Sequence, residues 1–92
     1  MLKRSMKIKP DEKAVIDIEL DPEYQSITSD DLIVVLGNDI SNTLPISYNL
    51  KDGHIYITVK GEDVLDLKQL GQPVLDVYNK TAKKMILRVI FR

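Results

Sequence analysis

The chain has no cysteine, no tryptophan and a single phenylalanine in 92 residues. Without thiols it has no disulfide, no zinc–thiolate or iron–sulfur site and no cysteine nucleophile. Small secreted domains often depend on disulfide bonds, so a cysteine-free chain points to the cytoplasm. With aromatics this scarce, aliphatic side chains must build the core. The four glycines, Gly37, Gly53, Gly61 and Gly71, are isolated, and none belongs to a phosphate-cradling loop. No run approaches the ~20 apolar residues of a membrane helix. The basic opening, Met1 to Lys7, resembles the start of a signal peptide. Lys7, Lys9, Pro10, Asp11 and Glu12 stand where its apolar stretch would follow.

What is present is enough for one ordinary domain. Hydrophobic residues make up 43% of the chain, and a chain of this length fits one domain, taken as residues 1–92. The formal net charge of -1 hides a segregation. Residues 1–9 carry Lys3, Arg4, Lys7 and Lys9 and no acid. Residues 14–50 carry seven acids and no Lys or Arg. After Asp76 every charge is positive: Lys80, Lys83, Lys84, Arg88 and Arg92. A fold that brings the two ends together would gather a basic patch.

The periodicity is that of strands. Ala14, Ile16, Ile18 and Leu20 alternate with Val15, Asp17 and Glu19, giving a strand with one polar face. Asp21-Pro22 ends it, and residues 25–31 read as a polar loop with at most one helical turn. Leu32 to Leu36 is a continuous, β-branched apolar run, expected to be a strand buried on both faces. Ile46, Tyr48 and Leu50 alternate, as do Ile55, Ile57 and Val59. Asp52-Gly53 between them is a favoured type I′ turn, because both positions tolerate positive φ. With that loop, Lys51 faces His54, Leu50 faces Ile55, Tyr48 faces Ile57 and Ile46 faces Val59. Turn chemistry and apolar register therefore agree. Residues 62–72 suit a short helical turn or an irregular crossover. Residues 73–78 and 85–91 read as strands with Leu75, Val77, Met85, Leu87, Val89 and Phe91 inward. An odd-length loop, Lys80 to Ala82, would join them. The sum is an all-β domain: an immunoglobulin-like β-sandwich of six or seven mostly antiparallel strands, with a small open barrel as the alternative.

Few residues carry chemistry. His54, the only histidine, falls at a hairpin tip, where a solvated turn residue is expected rather than a catalytic base. Asp30, Asp31, Asn38, Asp39 and Asn42 lie in loops that could meet around calcium, but no EF-hand spacing is present. Asp17 and Glu19 form a carboxylate pair of the kind used by glycosidases, and more simply they are the wet side of a strand. The reading is that the chain is not an enzyme and has no cofactor and no metal site. Nucleic acid is not the expected partner, because the pI is near 5.7 and exposed aromatics are few. The side chains expected to form an interaction surface are Tyr56, Tyr78, Lys83, Lys84, Arg88 and Arg92.

The C-terminal third carries a resemblance. Asp66-Leu67, Leu70-Gly71-Gln72-Pro73, Leu75-Asp76-Val77-Tyr78 and Lys84-Met85-Ile86-Leu87-Arg88-Val89 resemble, in that order, the small β-sandwich modules of bacterial teichoic-acid-type glycosyltransferases and CDP-glycerol glycerophosphotransferases. Leu75 stands where that family often has an aromatic residue. The resemblance covers about 30 residues and its motifs are structural. It implies a non-catalytic accessory module that contacts a protein or domain partner, with an anionic polymer as a further candidate. The expected location is the cytoplasm, with the inner membrane surface as a further candidate. A ligand-binding sandwich, for an anionic glycan or calcium, is the alternative, and a structural protein of a phage or mobile element is another.

Overall fold

Two sheets face each other across one aliphatic core. The computed structural model describes residues 1–37, 46–71 and 73–92. Its strands, in chain order, are β1 (Leu2–Met6), β2 (Lys13–Glu19), β3 (Leu32–Leu36), β4 (Ser47–Lys51), β5 (His54–Lys60), β6 (Val74–Asn79) and β7 (Lys84–Phe91). The helix α1 (Gly61–Gln69) carries the chain from β5 to β6. The four-stranded sheet has the order β1-β7-β6-β3 and the three-stranded sheet β2-β5-β4. This is an immunoglobulin-like sandwich, with second, fifth and fourth strands on one sheet and third, sixth and seventh on the other. The first strand lies parallel to the last, and the other pairs are antiparallel.

The hairpin at Asp52-Gly53 has the expected register: Leu50 pairs with Ile55, Tyr48 with Ile57 and Lys51 with His54. Asp52 and Gly53 have φ of 52° and 79°, as a type I′ turn requires. β2 alternates as its sequence does, with Ile16 and Ile18 buried, and Leu20 just beyond its end is buried too. Facing them are Leu75, Val77, Leu87, Val89 and Phe91 from the four-stranded sheet, all buried.

Four expectations are corrected or completed. A strand forms over Leu2–Met6 that local periodicity did not reveal; its pairing with Leu87–Phe91 supplies the missing context. The crossover is a regular helix that seats Val64 and Leu67 in the core and leaves Leu65 and Leu70 exposed. β3 stands at the edge of its sheet among the described residues, and its apolar run is not buried throughout: Ile33, on the outer face beside Tyr78, remains 37% exposed. The β6–β7 loop is not odd. Asn79 pairs with Lys84, leaving the four residues Lys80–Lys83 in the turn. A bulge absorbs the mismatch: Tyr78 pairs with Met85 and Val77 with Leu87, so Ile86 is the extra residue. It restores the inward phase of Leu87, Val89 and Phe91, but Met85, expected inward with them, lies before the bulge and shares the outer face with its partner Tyr78. Ile86 is itself buried, which makes the bulge part of the core.

Candidate interaction surface on the four-stranded sheet

The register arranges the outer face of the four-stranded sheet in three rows. Ile33, Tyr78 and Met85 form the first, from β3, β6 and β7. Val35, Asp76, Arg88 and Lys3 form the second, with Lys3 from β1. Val74, Ile90 and Ser5 form the third. Alternation along each strand dictates this, because these positions are out of phase with the inward Leu75, Val77, Leu87 and Val89.

Asp76 is at the centre and is 1% exposed. Its carboxylate accepts two hydrogen bonds from Arg88, from Nε to Oδ1 at 2.7 Å and from Nη2 to Oδ2 at 2.9 Å. The planar guanidinium fork matches both carboxylate oxygens, which fixes the arginine's direction. The hydrogen bond to Asp76 raises the guanidinium's pKa further above its ordinary value, against the opposing effect of desolvation. Arg88 keeps about a third of its side-chain surface open, at 33%. Around this pair stand apolar and aromatic groups: Ile33 at 37% and Ile90 at 36% exposure, with Tyr78 and Met85 half-buried.

The hairpin beyond this face is anchored by Asp31, the residue just before β3. Lys80 donates its N–H to the Asp31 carbonyl at 2.7 Å, and Thr81 Oγ1 donates to Asp31 Oδ1 at 3.1 Å. Lys83, with φ of 53°, and Lys84 sit exposed at this tip. Asp31, one of the calcium candidates, is thus engaged in holding a turn. Asn38, Asp39 and Asn42 lie outside the described residues. Among the described residues no group of three His, Cys, Asp or Glu side chains is placed to hold a metal ion.

The six residues expected to form a surface are divided. Tyr78 and Arg88 lie together on the face, and Lys83 and Lys84 lie at its hairpin end. Arg92 is at the opposite end of β7, about 26 Å from Lys84 at strand rise. Tyr56 is on the other side of the molecule, on the outer face of the three-stranded sheet between Asp17 and Asn49. There it stacks on His54, with ring centroids 6.0 Å apart. His54 Nδ1 lies 2.8 Å from Asp17 Oδ1 at the exposed surface. Sequence reasoning placed Arg88 outward but missed Asp76 as its partner. The signal was available: one acid inside the apolar run Val74-Leu-Asp-Val77.

No family model, curated protein or solved structure compared with the chain matches it. No helix among the described residues is long and apolar enough to cross a membrane.

Proposed function

We propose that the domain is a non-catalytic interaction module that docks a protein partner on the outer face of its four-stranded sheet. The observation that carries this reading is the composition of that face. A rigid, partly exposed arginine, neutralised by the buried Asp76 beneath it, is framed by Ile33, Tyr78, Met85 and Ile90, with the lysines confined to the margin. Interface centres favour aromatic residues, methionine and arginine, and deplete lysine and carboxylates. The fringe of Lys3, Lys83 and Lys84 is cationic, so the partner's rim is acidic. In the setting that the sequence resemblance implies, the partner is the catalytic domain or a subunit of a cell-envelope polymer transferase.

Photo-crosslinking tests this. A photoreactive phenylalanine analogue replaces Tyr78 in one variant and Tyr56 in another, each expressed in the organism that encodes the chain. The Tyr78 position should give one defined protein adduct and the Tyr56 position none. Adding Ile33→Asp and Ile90→Asp should abolish the adduct, since central contacts of this kind each contribute about 2 kcal/mol or more. Equal adducts from both faces, or an adduct indifferent to the double substitution, would overturn the reading. An adduct of the chain with itself would replace the partner module by a self-assembling structural protein.

A further inference from the structure

The two basic ends of the sequence do meet, at the edge of the sandwich opposite the β6–β7 hairpin tip. β1 runs parallel to β7, so the chain leaving β1 passes beside the end of β7, and Arg92 donates its N–H to the Met6 carbonyl at 2.9 Å. An open depression of about 560 Å³ lies there, lined by Lys7, Ile8, Lys9, Pro10, Glu12, Lys68 and Arg92. Four cationic residues from three separate segments line it, with one acidic residue.

The backbone that presents these cations is held firmly. Lys9 and Glu12 close a reciprocal turn: Glu12 donates its N–H to the Lys9 carbonyl at 3.0 Å, and Lys9 donates its N–H to Glu12 Oε1 at 2.8 Å. The one carboxylate is therefore turned onto the backbone. Gly61, at the start of α1, donates to the Glu12 carbonyl at 2.7 Å. A Cβ built on Gly61 would stand 1.8 Å from the Lys9 carbonyl oxygen, so helix and turn approach as closely as glycine permits. At the far end of α1, Lys68 Nζ donates to the Arg92 main-chain oxygen at 2.6 Å. This ties the helix to β7 and fixes one ammonium at the rim.

We propose that this depression is a binding site for phosphate-class oxyanions. Crowding four like charges is unfavourable without a counterion, and preorganised cations lower the cost of binding one. A phosphate carries more charge than a carboxylate at neutral pH and offers three oxygens to several donors. That matches three lysines, acting as point charges, and an arginine drawn from three segments around one depression. The site lies apart from the docking face and does not depend on it.

The test is a titration of the isotope-labelled chain followed by amide chemical shifts. The probes are inorganic phosphate, long-chain polyphosphate and polyglutamate at matched ionic strength. Phosphate and polyphosphate should give saturable shifts confined to residues 7–12, 68 and 92. Lys7→Glu with Lys9→Glu should weaken binding by about tenfold or more. Lys7→Gln with Lys9→Gln should weaken it less. Lys83→Glu with Lys84→Glu, at the other end of the molecule, should leave it unchanged. Polyphosphate binding at least about tenfold tighter than phosphate would identify a polymer as the source, and equal affinity a free phosphate. The same spectra report whether each variant is folded. The proposal is overturned if neither phosphate probe saturates, if polyglutamate binds as well as both, or if reversal at Lys83 and Lys84 weakens binding equally.

Discussion

Asp76 and Arg88 show how unequal two halves of one ion pair can be. The carboxylate is almost fully buried, whereas a third of the arginine side chain remains in water. Removing the arginine strands a buried charge, and removing the acid releases a cation that can reach solvent. Arg88→Met should therefore destabilise the fold by about 3–5 kcal/mol, the range for a buried pair broken from one side. Asp76→Asn should cost only about 1–2 kcal/mol, since an amide oxygen still accepts from the guanidinium. Urea denaturation of both variants checks the order; equal losses would mean that burial of Asp76 does not govern the pair. A raised folded-state pKa adds stability that is complete below the unfolded value and lost only as pH climbs through the folded one. For Arg88 that window lies in strong alkali, so the guanidinium stays charged throughout the neutral range.

At the scale of elements, the legible parts were those whose chemistry is local. Asp52-Gly53 specifies its own turn, and strict alternation on both sides leaves one register in which apolar faces apolar. The β6–β7 hairpin has no such turn signature in Lys80-Thr-Ala-Lys83, and its register depends on a bulge at Ile86 that alternation alone does not encode. In the sequence Gly61 was legible only as an isolated glycine at a turn or strand end. Its real constraint is the passing carbonyl of Lys9, over fifty positions earlier in the chain. Gly61→Ala should consequently cost about 3 kcal/mol or more, against a gain in an unencumbered helix, where alanine is preferred. Thermal unfolding measures the loss, and displaced amide shifts at residues 9–12 locate it. A stabilised variant would show that helix and turn are free to separate.

For the molecule as a whole, β1 closes the four-stranded sheet with a contact between the two ends of the sequence. It covers one edge of β7 and half-buries Leu2 and Met6 against the core. Deleting residues 1–6 should lower stability by about 2–4 kcal/mol from lost apolar burial and pairing. It should also raise self-association, because the uncovered β7 edge offers unpaired N–H and C=O groups to another chain. Denaturant midpoints and sedimentation velocity together test this; a monomer of unchanged stability would mean that β1 is dispensable. The outer faces follow the same logic. Which rows of side chains adjoin is a property of strand order, so Ile33, Tyr78 and Met85 became neighbours only when β3, β6 and β7 were laid side by side.

The amino-acid sequence by itself determined the all-β class, the aliphatic core, the inward phase of most strands and the Asp52-Gly53 hairpin. Those properties rest on local propensity and on side-chain alternation with a period of two. The tertiary structure alone decided the parallel partnership of β1 with β7, the division of the basic residues between two ends of the sandwich, and the pairing of Asp76 with Arg88. Each of these depends on which strand lies beside which. That choice reflects burial summed over both sheets and leaves no periodic mark along the chain.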